Sequence, residues 1–78
     1  MALSKDELAL LARFGARVRR LRLDAELTQS ALAERLGLEI RTVQMFEAGE
    51  INVPLATLYR IHRALGCRWE ALLGKVES

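Results

Sequence analysis

Covalent chemistry needs a nucleophile, a base and a pocket, and this 78-residue chain offers little of that kind. Its serines, Ser4, Ser30 and Ser78, stand in cap, helix and tail contexts. The one histidine, His62, has no carboxylate three or four residues away, and the one cysteine, Cys67, cannot close an intramolecular disulfide. A single His and a single Cys do not make a zinc set. So short a chain cannot enclose both a core and a reaction cavity. No catalytic residue, metal or cofactor is therefore expected. What remains is non-covalent recognition. Five of the 12 basic residues (Arg13, Arg17, Arg19, Arg20 and Arg22) cluster near the start, while Asp6, Glu7, Glu70 and Glu77 lie towards the ends. Of these, Arg13, Arg17, Arg19 and Arg20 read equally as a phosphate-contacting patch or as the solvated face of an amphipathic helix.

The composition bounds what can position such groups. Apolar residues make up 51% of the chain, far more than a disordered segment carries. Gly is sparse and Pro54 is the only proline, which favours helices over a turn-rich sheet. One domain spanning 1–78 is expected. A net charge of +2 with a pI of 9.2 permits binding to nucleic acid without demanding it. The first apolar stretch is short and interrupted by Lys5, Asp6 and Glu7, so no signal peptide is expected. No apolar run approaches a membrane span, and the cytoplasm is the default location.

Five helices are predicted. Ser4-Lys5-Asp6-Glu7 is a capping box that opens the first, over about Lys5 to Asp24. Leu8, Leu11, Phe14 or Gly15, Val18 and Leu21 form its apolar stripe, with Arg13, Arg17 and Arg20 opposite. Thr28 is the N-cap of a short second helix, and Gly37 stands where a left-handed residue ends it. A third runs from Glu39 or Ile40 to about Ala48 and stops at Gly49. Residues Glu50 to Val53 read as a loop. Pro54 opens the fourth in its first turn, with Leu55, Leu58, Ile61 and Leu65 on one face and Gly66 at its end. Trp69, Leu72 and Leu73 make a last short helix closed by Gly74.

Residues 28–48 carry the most information. Two short helices joined at a glycine, with apolar residues at fixed offsets, form the pattern of a helix-turn-helix. Ala33 is small enough for close helix approach, and Gly37 accepts positive φ without a Cβ penalty. Leu38 then plugs the corner. Stiff, β-branched Val43 and, one turn on, Phe46 share the buried side, and Leu32 and Leu36 complete the small core between the helices.

The chain resembles the helix-turn-helix domain of the phage repressor and Cro family of small bacterial regulators. The matching residues are Leu27-Thr28-Gln29, Leu32-Ala33, Leu36-Gly37, Thr42-Val43, Phe46-Glu47 and Gly49, then Thr57-Leu58, Ile61 and Ala64-Leu65-Gly66, with Arg22 upstream. The resemblance covers about residues 14–74. It implies an all-α, compact five-helix domain with a lambda-repressor-like DNA-binding fold. It also implies roles: Ile40, Arg41, Gln44 and Met45 facing base edges in the major groove; Gln29, with Thr28, Thr42 and Arg17, on DNA phosphates; and Arg22 paired with Glu47 between the first and third helices.

The chain departs from that family at several of these positions. Polar or basic residues usually stand where Ile40 and Met45 are, so Arg41 is the one cation on the reading helix. Its guanidinium fork suits guanine O6 and N7, Gln44 suits adenine, and Ile40 and Met45 suit thymine methyl groups. Glu39 is a poor N-cap and repels phosphate. Modest affinity per monomer is expected, and hence a homodimer on a pseudo-palindromic double-stranded operator, acting as a repressor. By resemblance the dimer surface includes Cys67, Arg68, Trp69 and Leu72 or their neighbours. Trp69 is expected to anchor the last helix or a second subunit, His62 to lie at the surface or core edge, and Cys67 to be a packed or interface thiol. The alternatives are an antitoxin-like protein that binds a toxin partner, and a restriction-modification controller protein.

Overall fold

A computed structural model describes residues 2–74; Glu77 and Ser78 lie outside the described residues. Five helices follow in order: α1 (Lys5–Asp24), α2 (Gln29–Leu36), α3 (Ile40–Glu47), α4 (Leu55–Leu65) and α5 (Trp69–Leu73). The predicted starts and stops have local causes. The Glu7 amide donates to Ser4 Oγ at 3.1 Å and the Ser4 amide donates back to Glu7 Oε1 at 2.8 Å, which completes the capping box of α1. Thr28 Oγ1 accepts from the Ala31 amide at 3.0 Å and caps α2. Glu39 supplies no side-chain cap to α3, in keeping with its poor aptitude for that position. Pro54 proves to be the residue before α4: its ψ of 148° is extended, and its carbonyl accepts the first helical bond, from Leu58.

Helices α1, α2 and α3 end in one hydrogen-bond pattern. The amides of two successive residues just past the helix fold back on its last turn, and the first of the two residues takes positive φ. At α2 these bonds are Gly37 N–H to Glu34 O (3.2 Å) and Leu38 N–H to Ala33 O (2.9 Å). At α1 they are Glu26 N–H to Leu23 O (2.9 Å) and Leu27 N–H to Arg22 O (3.0 Å). The left-handed residue at α1 is Glu26, with φ of 59°, where a side chain costs about 1–2 kcal/mol.

The core gathers Phe14 and Val18 of α1, Leu32, Ala33 and Leu36 of α2, Val43 and Phe46 of α3, Ile61 of α4 and Leu72 of α5. Helix α1 packs on α3 and α5, and α2 packs on α3 and α4. Both Phe14 and Gly15 face inward, and Gly15 marks a close approach of α1 to α3. A methyl group on it would stand 2.2 Å from the Phe46 carbonyl oxygen, so the backbones of α1 and α3 touch there. Two leucines assigned to apolar stripes are exposed instead. Leu8 (49% exposed) lies in the first turn of α1, before Leu11, the first buried residue of that helix. Leu55 (79% exposed) lies about 120° around α4 from buried Ile61. No helix among the described residues is long and apolar enough to cross a membrane.

Candidate nucleic-acid interface

The α2–α3 corner presents α3 as a rod anchored along one side. Gly37, at φ 69° and ψ 32°, makes the turn, and Leu38 packs behind it against the core. A Cβ on Gly37 would meet nothing within 4 Å, so the glycine serves backbone conformation and not space. On α3, Val43, Phe46 and Glu47 face inward, while Ile40, Arg41 and Gln44 face solvent and Thr42 and Met45 are half-buried. Eight residues and a helical period of about 3.6 allow this clean division between an anchored and a free side.

The anchor includes a charge. Arg22 Nε donates to Glu47 Oε2 at 2.6 Å and Arg22 Nη2 to Glu47 Oε1 at 3.0 Å, a bidentate pair with both side chains more than nine-tenths buried. Arg22 Nη1 also donates to the Leu27 carbonyl at 2.8 Å, which ties the end of α1 to the approach of α2. The guanidinium and the carboxylate thereby satisfy each other's hydrogen-bonding groups away from water, the condition under which a buried pair is tolerated.

A polar chain then runs from this pair to the surface. Gln29 Nε2 donates to Glu47 Oε1 at 3.1 Å, and Gln44 Nε2 donates to Gln29 Oε1 at 3.4 Å. The sequence singles out each of these residues but gives no sign of the connection, which depends on the α2–α3 crossing. Gln29, expected on phosphate, spends its amide oxygen and one amide hydrogen inside the protein. Thr28 uses its oxygen as the α2 cap and keeps its hydroxyl hydrogen for an outside acceptor. Arg41, Gln44, Met45 and Glu50 line a shallow depression, so Arg41 shares its surroundings with a carboxylate.

Arg17, expected on phosphate, has its guanidinium against the end of α5, so close that a methyl group on Gly74 would meet Arg17 Nη1 at 2.7 Å. The half-buried cation seals the α1–α5 seam, where a helix C-terminus favours positive charge. Leu72 cannot meet a second subunit, because it is fully buried in its own core. The five residues of α5 are too few for periodicity to have distinguished its inner side. Of its companions, Arg68 is exposed and pairs loosely with Glu70 at 3.7 Å. Cys67 is half-buried against the core, and burial raises its thiol pKa above the ordinary value, partly offset by a backbone hydrogen bond. Trp69 is 40% exposed and stacks on His62, with ring centroids 4.0 Å apart and planes 12° apart. His62 is half-buried, and its Nδ1 is buried without a partner among the described residues.

The sequence pattern described as Helix-turn-helix matches residues 18–72, most of the chain. The chain belongs to the Cro/C1-type helix-turn-helix family. Two solved structures share its fold. The restriction-modification controller protein C.AhdI from Aeromonas hydrophila is 36% identical, with 82% of this chain and 97% of that chain covered and a TM-score of 0.78. The hypothetical transcription factor NHTF from Neisseria is 29% identical, with 94% of this chain and 84% of that one covered, also at a TM-score of 0.78. No curated protein matches. With this family, this fold and a free face on α3, the helix-turn-helix protein is a DNA-binding transcriptional regulator.

Proposed function

We propose that the protein binds double-stranded DNA sequence-specifically as a homodimeric repressor, with α3 laid in the major groove. The observation that carries this reading is the division of α3: Val43, Phe46 and Glu47 are locked into the domain while Ile40, Arg41 and Gln44 are exposed together. Arg41 reads guanine through its fork, Gln44 reads adenine, and Ile40 with the exposed part of Met45 packs on thymine methyl groups. Thr28, Thr42 and the start of α2 contact phosphate, and Gln29 holds Gln44 in register. Two copies on a pseudo-palindromic site set their reading helices about one turn of DNA apart, which doubles a contact surface that holds a single cation per copy.

A gel shift against DNA from upstream of the protein's own coding sequence tests the reading. Selective binding that weakens steeply with added salt is expected, because each phosphate contact releases counterions. Absent binding, or binding indifferent to both salt and sequence, contradicts it. One second reading has specific support. The likeness to C.AhdI covers nearly the whole of that chain at 36% identity, which favours a restriction-modification controller that activates as well as represses. Neighbouring genes for an endonuclease and a methyltransferase would support it; a neighbouring toxin-like reading frame would favour an antitoxin instead.

A further inference from the structure

Helices α2 and α4 pack side by side, and their outer seam holds an open depression of about 480 Å³. Arg35 of α2 and Tyr59, Arg60, Arg63 and Ala64 of α4 line it. Three of these five residues carry a permanent positive charge. None of the three forms an ion pair among the described residues. Helix α4 contains no carboxylate, and Glu34, the one carboxylate of α2, is exposed beside Arg35 but outside the lining. Arg60 and Arg63 stand three residues apart on one helix, a spacing at which like charges repel. Helix ends account for part of this charge: Arg35 and Arg63 lie in the last turns of α2 and α4, where unpaired carbonyls favour cations. Arg60 stands in the middle of α4, out of that range.

The polar groups of the depression are arranged to donate. Arg35 Nη1 donates to the Ala64 carbonyl at 3.3 Å, which engages that oxygen and leaves Arg35 Nε and Nη2 for an outside acceptor. Arg63 Nη1 donates to the Tyr59 hydroxyl oxygen at 3.5 Å, so the hydroxyl keeps its own proton to donate outward. The Arg63 guanidinium also lies 6.0 Å from the centre of the exposed Tyr59 ring. The reading side of α3 is elsewhere. Gln29, which meets Gln44, precedes Arg35 by six residues, so Arg35 lies about 9 Å further along α2 and about 120° around it. Arg41 and Gln44 line a different depression.

We infer that this depression binds a small anion carrying a diphosphate group. Each phosphate brings about one to two negative charges near neutral pH, so two of them together answer three guanidinium groups. Their oxygens only accept hydrogen bonds, which is what guanidinium and hydroxyl donors can satisfy. A single carboxylate has one charge and two oxygens in a plane; it fills one guanidinium fork and leaves two cations unanswered. The bound anion removes the repulsion between Arg60 and Arg63 and ties the end of α2 to the middle of α4. It does so without covering Arg41 or Gln44, so the site stands whether or not α3 reads DNA.

Isothermal titration calorimetry of the full chain, without DNA or magnesium, is the test, with inorganic pyrophosphate and ADP as probes. Each probe binds a single site per chain and raises the unfolding midpoint, as a ligand of the native state must. Arg60→Gln combined with Arg63→Gln raises the dissociation constant at least about tenfold, with helix content by circular dichroism unchanged because both side chains are exposed. Tyr59→Phe, which keeps the ring and loses the hydroxyl, raises it about two- to fivefold. Arg13→Gln combined with Arg19→Gln removes the same two charges from the exposed side of α1 and stays within about twofold of the parent. If that control pair weakens binding as much as the pair in the depression, net charge alone draws the anion and the site is overturned. Failure of both probes to bind the parent overturns it as well. So does an oligoglutamate peptide that binds more tightly than pyrophosphate, which makes the depression a protein-docking surface. A random DNA duplex that loses affinity for the Arg60→Gln, Arg63→Gln protein as steeply as pyrophosphate does also overturns it, because the arginines then belong to the DNA surface.

Discussion

The two sides of α3 were built under different physical demands, and they tell different things about the molecule. The inner side is a packed, fully satisfied junction in which Val43 and Phe46 fill the core and Glu47 closes on Arg22. The outer side carries Ile40, Arg41 and Gln44 in the open, with a single tether from Gln44 to Gln29. Val43 and Gln44 are neighbours in the chain, yet the cost of altering each side falls on a different quantity. Changes on the inner side should appear in folding, and changes on the outer side in DNA affinity with folding intact.

The largest expected effect is on the inner side. Glu47→Ala strands a buried guanidinium and removes a partner of Gln29, and should destabilise the domain by about 3–5 kcal/mol in urea unfolding. Replacing both partners, as in Arg22→Met with Glu47→Leu, should cost less than that single change, because no charge is left buried without its counterion. A double variant as damaged as the single would show that the pair acts through something other than its burial. Gly15→Ala comes next. The added methyl meets the Phe46 and Glu47 carbonyls and forces α1 away from α3, a loss of about 1–3 kcal/mol. An unchanged melting temperature would mean that the two helices do not touch at that point.

On the outer side, Gln44→Ala should leave the melting curve within about 0.5 kcal/mol of the parent. It should weaken binding to the preferred duplex by about 1–3 kcal/mol, measured by fluorescence anisotropy. If Gln44→Ala unfolds the protein instead, the tether to Gln29 belongs to the anchor and the division of α3 is drawn in the wrong place. The smallest effect lies away from both sides, at the α1–α2 turn. Glu26→Gly relieves a left-handed side chain but adds freedom to the unfolded chain, for a net gain of about 0.5–1 kcal/mol with DNA affinity unchanged.

The same contrast explains how much was legible in the sequence. Local chemistry was readable: Ser4 and Thr28 as caps and Gly37 as the turn follow from side chains acting within a few residues of themselves. The division of α3 was readable too, from the spacing of Val43 and Phe46. The Arg22–Glu47 pair spans 25 residues and came into view only through the family resemblance. Contacts set by how helices cross left no local trace. Gly15 looked like one candidate for an apolar stripe and is a backbone contact. Arg17 looked like part of a basic face and is wedged at α5. Glu26 carries no turn signal at all, yet it adopts the conformation that Gly37 was chosen for. Leu8 and Leu55 obeyed the helical period but lay past the edge of what the period packs against.

The central claim is that the outer side of α3 reads bases, with Arg41 as its single cation. Selecting binding sites from a random duplex pool, with the parent and with Arg41→Ala side by side, tests it most directly. The account predicts a pseudo-palindromic consensus for the parent. For Arg41→Ala it predicts loss of preference at one guanine per half-site, the rest of the consensus retained and affinity lower by about 1–3 kcal/mol. Identical consensus sequences and affinities for the two proteins would contradict it.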